Sequence, residues 1–201
     1  MKRKSAITSL LLLAATLTAC GGVLTSERPV KQTYLLEPAS IESTDSEGDP
    51  WPALELSVKA VPGLDTDHIQ ALSTDASLKH YANARWADFL PEVLSSVMRR
   101  SLASTGRFEA VSATLAPRGE AWSLSLEVQQ FYGIQDYAGS TSSVAVTFEG
   151  ILKCREQVRQ LQLSFSRPVR EERLSVVVKA HQQALDDATK QLVSELSEFC
   201  Q

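Results

Sequence analysis

A single α/β domain of the mixed α+β kind, with a largely antiparallel sheet and helices packed on one of its faces, is predicted by three features of this sequence. Three successive runs beginning at Trp122 alternate apolar with polar side chains across short connections, the pattern of an antiparallel meander. Two stretches, one opening near Asp88 and one near Ser175, repeat apolar residues at three- and four-residue steps and supply helices to cover the sheet's apolar face. The chain has 201 residues. Once an N-terminal leader is set aside, that is enough for one substantial core and too little for two.

The leader is Met1 followed by Lys2, Arg3 and Lys4, an apolar run from Ala6 through Leu17, and then Thr18-Ala19-Cys20-Gly21. A basic start before an apolar run too short to persist as a membrane span marks an export signal. Small residues directly before a cysteine match the lipobox of bacterial lipoproteins. Residues 1–19 are then a signal peptide, and Cys20 carries a diacylglycerol on its sulfur and an N-acyl lipid. At about 0.8 kcal/mol per buried methylene, several chains hold a membrane far longer than one. An ordinary signal peptide with a chance cysteine is the alternative.

The leader removes three of the 20 Lys and Arg, so 17 face 24 Asp and Glu in the remaining 182 residues, a net charge of −7. Such a surface disfavours nucleic acid and does not by itself seek anionic headgroups. The tether makes the membrane contact. Beyond Cys20 no apolar run approaches the roughly 18 residues of a membrane helix. With Cys20 committed to lipid, Cys154 and Cys200 remain, and an oxidising compartment favours a disulfide between them. Cys154 falls in phase with the inward side of its strand and Cys200 ends the last helix. Closing that loop contributes about 4 kcal/mol in the chain-entropy account; two unpaired thiols are the alternative.

Along the mature chain, residues 20–33 are small and polar and form a leash, and residues 34–201 form the domain. Tyr34-Leu35-Leu36 reads as a first edge strand and Glu37 to Pro52 as a polar loop. Leu54, Leu56, Val58 and Ala60 alternate as a half-buried strand that Pro62-Gly63 closes. A hairpin follows, with arms His68–Ser73 and Ser77–Tyr81 about a turn at Thr74-Asp75-Ala76.

The first helix has Asp88 as N-cap, Pro91 in its first turn, an apolar face from Leu90 to Leu102 and Gly106 as its left-handed stop. A short strand from Arg107 to Ala113 and a turn at Pro117-Arg118-Gly119 come next. The meander then runs through Trp122 to Gln129, a loop containing Gly133, Asp136 and Gly139, Val144 to Cys154, a turn at Arg155-Glu156, and Leu161 to Phe165. The last helix spans Ser175 to Phe199, with Ala184, Leu185, Ala188, Leu192 and Leu196 on one stripe. A strand, a helix and another strand between Leu54 and Phe108 allow a right-handed crossover, which would make part of the sheet parallel.

Tyr34-Leu35-Leu36, then Tyr81-Ala82-Asn83-Ala84-Arg85-Trp86-Ala87-Asp88-Phe89-Leu90-Pro91, then the helix ending Leu102-Ala103-Ser104-Thr105-Gly106-Arg107-Phe108, resemble the ABC-type transport auxiliary lipoprotein family over nearly the whole mature chain. The resemblance implies a compact α/β domain without a catalytic centre. It also implies an outer-membrane-anchored protein facing the periplasm. Its implied partners are an MCE-domain protein and the permease and ATPase of an ABC transporter, working together to move lipid between two membranes. Gly21, rather than Asp, after Cys20 fits sorting to the outer membrane. Assembly into a homo-oligomer is left open.

The residues themselves offer little chemistry. His68, His80 and His181 have no short ligand spacing, although His68 and His80 could meet across the hairpin, so no metal site is expected. There is no nucleophile elbow, phosphate-cradling glycine loop or dinucleotide fingerprint, and no enzyme or cofactor is expected. His181 sits at helical spacing from Leu185 and reads as a satisfied boundary residue. Arg85 and Trp86 have two readings. One is structural, with Trp86 a hydrophobic staple ahead of the helix and Arg85 paired to a nearby carboxylate; the other is a partner contact, since both types are enriched at interface hot spots. Two further functions stay open beside the transport reading: an envelope lipoprotein that regulates a cell-wall synthase, and a carrier that holds lipid in its own pocket.

Overall fold

Among the described residues, strand alternation and helical periodicity resolve into eight strands and two long helices. A computed structural model describes residues 31–41, 50–114 and 121–200. Cys20 and the turn at Pro117-Arg118-Gly119 lie outside the described residues. In chain order the elements are β1 (Gln32–Tyr34), β2 (Leu54–Ala60), β3 (His68–Leu72), β4 (Leu78–Trp86), α1 (Leu90–Ser104), β5 (Val111–Ser112), β6 (Trp122–Gln135), β7 (Thr141–Cys154), β8 (Gln157–Pro168) and α2 (Leu174–Phe199). A 3-10 turn at Pro62–Leu64 follows β2.

The sheet is mixed and is organised around β6. One side of β6 pairs antiparallel with β7, and β7 pairs with β8 through twelve consecutive register partners from Ser143↔Pro168 to Cys154↔Gln157. The other side is shared. Its first half takes β2 in parallel, Leu54↔Trp122 through Ala60↔Val128, and its far end takes β3 in parallel at Ala71↔Gly133 and Leu72↔Ile134. β5 extends the sheet beyond β2, and β4 then β1 extend it beyond β3. The parallel β2–β5 pair, separated in sequence by α1, matches the partly parallel sheet expected from the strand–helix–strand order.

Period-two patterning decides which face is covered. Leu54, Leu56, Leu124, Leu126, Val146, Phe148, Leu152 and Leu163 all lie inward and are no more than 3% exposed. Each fully buried side chain of this size contributes roughly 1.5–3 kcal/mol. Against them α1 packs Leu94, Val97, Met98 and Leu102, and α2 packs Val177, Ala184, Leu185, Ala188, Leu192 and Leu196. The opposite face carries Ser57, Lys59, Ser125, Glu127, Glu149, Gln160 and Gln162.

Several boundaries differ from the sequence expectation. β4 runs on to Trp86, and the N-cap position of α1 is Phe89 without a side-chain cap. Asp88 instead accepts the Phe89 N–H at 2.8 Å. Gly133 is not in a loop but inside β6, which continues to Gln135; the turn is Asp136–Ser140, where Asp136 Oδ1 accepts the N–H groups of Ala138 and Ser140. A side chain at Gly133 would place its Cβ 2.7 Å from Tyr81 Oη and 2.8 Å from Thr141 Cγ2. The glycine therefore admits the Tyr81 phenol, which bonds Thr141, and does not mark a turn. Residues 107–113 contribute two strand residues and one bridge, Trp51↔Phe108.

The polar segment after β1 also does more than connect. Leu36 and Ala39 are buried, the Ala39 N–H donates to Ser101 Oγ of α1, and Gln182 of α2 exchanges two hydrogen bonds with the Glu37 backbone. At the segment's other end, Trp51 packs edge-on to Phe108 at 5.0 Å and lies 5.5 Å from Trp122, beneath the Arg107 guanidinium.

Candidate functional surface

The residues singled out from the sequence are scattered. Cys154 ends β7 on its inward side and is joined by a disulfide to Cys200, just past α2, with Cα atoms 5.4 Å apart. The bond fastens the end of the longest helix to the sheet, and both residues are buried.

Arg85 and Trp86, adjacent on β4, point to opposite faces. Trp86 is 1% exposed and meets Phe131 and His181 edge-on at 5.8 Å each. A partner contact through Trp86 would need the core to open, so the structural reading is the one its position supports, as core rather than as a staple next to the cap. Arg85 is at the surface, 3.8 Å from Asp67, where exposed pairs contribute little.

His181 corrects the boundary expectation. It is fully buried, its ring tilted against Phe131 at 4.8 Å, with Nδ1 on the Val177 carbonyl at 3.0 Å and Nε2 without a hydrogen-bond partner among the described residues. Burial pulls its pKa down to about 4. His68 and His80 do meet across the hairpin, their rings stacked at 4.7 Å, and Asp67 lies 3.8 Å from His68. Among the described residues no group of three or more His, Cys, Asp or Glu is placed to hold a metal ion.

The uncovered sheet face provides an open groove of about 590 Å³ across β2, β6, β7 and β8. Its floor follows from register: Lys59, Glu127, Glu149 and Gln162 form one cross-strand row, and Ser57, Ser125, Ile151 and Gln160 the next. Gln129 Nε2 bonds Glu127 at 2.7 Å and reaches Glu149 at 3.4 Å, which tempers two like charges set opposite each other. Ser57 and Ser125 bond each other at 3.1 Å. Hydroxyls, amides and charges line this groove, with Ile151 as its exposed apolar member. Open to solvent and about half polar, it offers no enclosed apolar wall for an acyl chain.

A family model described as the ABC-type transport auxiliary lipoprotein component matches residues 34–193. The chain belongs to this family. Its members are lipoproteins that accompany an ABC-type transport system, which places this auxiliary component at a membrane of the cell envelope. A search of curated proteins gives no match. Among solved structures, the auxiliary component resembles a protein from Xanthomonas campestris of the DUF330 family, at 22% identity and a TM-score of 0.65, over 82% of this chain and 94% of that one. It also resembles a structure described as an uncharacterized protein, at 16% identity and a TM-score of 0.67, over 83% and 99% of the two chains. At these identities the likeness concerns the fold.

The sequence signal behind the surface was partial. Alternation located the groove's polar residues, but the row that sets Lys59, Glu127 and Glu149 side by side depends on long-range register. Tyr137, 98% exposed at the tip of the β6–β7 turn, passed unnoticed because a lone aromatic in a glycine-containing turn carries no periodic signal.

Proposed function

We propose that the chain is a non-enzymatic accessory subunit of an MCE/ABC-type intermembrane lipid transport system, held at the outer membrane by lipid on Cys20 and facing the periplasm. On this reading residues 1–19 are the cleaved signal peptide, 20–33 the leash and 34–201 the working domain. The observation that carries it is the family match across residues 34–193. The groove adds support, because it is open and only about half apolar, unlike an enclosed lipid pocket. Family membership and the Cys20 lipobox together favour a tethered adaptor, and the subunit needs no cofactor beyond its covalent lipid.

Affinity capture of the intact lipoprotein from detergent-solubilised envelopes tests the proposal. The expected result is recovery of the permease, the ATPase and an MCE-domain protein with it. Recovery of a cell-wall synthase without transporter subunits would transfer the protein to the regulatory class. Stoichiometric lipid without protein partners would make it a carrier. Mass spectrometry of the mature N-terminus tests the anchor separately, with acylated Cys20 expected.

A further inference from the structure

The geometry points to the end of the sheet bearing the β3–β4 and β6–β7 turns as the end that lies against the lipid surface, with the Tyr137 ring in the headgroup layer. This rests on lipid attachment at Cys20. Register places both turns at one end, since β3 and β6 run parallel and finish level, Leu72 beside Ile134. β1 runs parallel to β4, which leads away from that end. The chain therefore enters β1 travelling from the turn end.

Distances favour the same end. Thr33 of β1 pairs with Arg85, which pairs with His68, four residues before Leu72. At about 3.3 Å per residue, the start of β1 lies roughly 13 Å from the turn end. The opposite end lies about twice as far, near Trp122, and reaching it requires the chain to reverse. The eleven residues from Gly21 to Lys31 span at most about 40 Å extended. An anchor at Cys20 thus lets the turn end touch the membrane.

Tyr137 is what that end offers. The ring is 98% exposed with no packing to explain it, on a turn fixed by the Asp136 carboxylate. Tyrosine places an apolar ring and a polar tip where a bilayer meets water. The charged groups there are of both signs, Asp75, Asp136 and Glu172 beside Lys79, Arg170 and Arg173. With no excess of positive charge to draw anionic headgroups, the fitting surface is zwitterionic lipid.

The test uses the full, acylated chain reconstituted into phosphatidylethanolamine vesicles, with a nitroxide on Ala138→Cys, which leaves Tyr137 in place, and a control label on Val158→Cys at the far end. The Ala138 label is expected to lose several-fold of its accessibility to an aqueous nickel chelate on reconstitution, and the Val158 label none. Adding Tyr137→Ala should return most of that accessibility. Equal exposure of both labels on vesicle-bound protein overturns the proposal. So does shielding that disappears when protein is diluted in lipid, which would assign Tyr137 to a second copy. Protein recovered free of the vesicles overturns the anchor itself, a failure visible before any label is read.

Discussion

Protonating His181 would put a charge between the rings of Trp86 and Phe131, where no acidic group among the described residues acts on it. Its folded pKa of about 4 lies below the ordinary 6.5. Between those values the unfolded chain binds the proton and the folded one does not. Stability should therefore fall as pH drops from about 6.5 toward 4, by on the order of 3 kcal/mol from this group. Urea midpoints across that range measure it, and His181→Phe should flatten the slope; a variant as acid-sensitive as the parent would refute the assignment.

At Gly133 the same scale of argument applies to space. Gly133→Ala should cost about 1–3 kcal/mol, because the new methyl meets the Tyr81 hydroxyl and Thr141 Cγ2. The adjacent pair Arg85 and Trp86 gives the contrast. Trp86→Ala removes a core ring, about 3–5 kcal/mol, while Arg85→Ala on a surface pair should change stability by less than about 1 kcal/mol. Thermal or urea unfolding of the two variants ranks them, and equal losses would contradict the burial described for Trp86.

Among the elements, α2 is the one most bound to a covalent feature. Its last residues are fastened to β7 by Cys154–Cys200, and Arg159 and Arg167 of β8 reach it through Glu195 and Asp187. Reducing the disulfide should cost roughly 2–5 kcal/mol, read as a lowered unfolding midpoint in reductant. An unchanged midpoint would mean that α2 is held by packing alone. Element identity was legible wherever one period ran long enough: β2, β7, α1 and α2 were anticipated within a few residues, and β6 as far as Gln129. The ends were not. Trp86 looks like a helix lead-in because a strand ending and a helix beginning share apolar residues, and Gly133 looks like a turn because its partners Tyr81 and Thr141 are distant in sequence. Trp51 was lost in a polar stretch whose anchoring depends on Phe108 and Trp122.

For the whole molecule, the family and the fold class were legible in the sequence, and the order of the strands was not. The family element from Tyr81 to Pro91 is contiguous, so it is readable from a short window. The division of one side of β6 between β2 and β3 is a long-range fact that no window contains. Because β2, β3 and β7 all hydrogen-bond to it, β6 cannot be freed by opening one neighbour. Its amides should be the slowest in the chain to exchange with deuterated water, at a rate set by global unfolding. The hairpin and the meander should then melt in one step rather than two, so that partial damage to either arm is felt as loss of the whole.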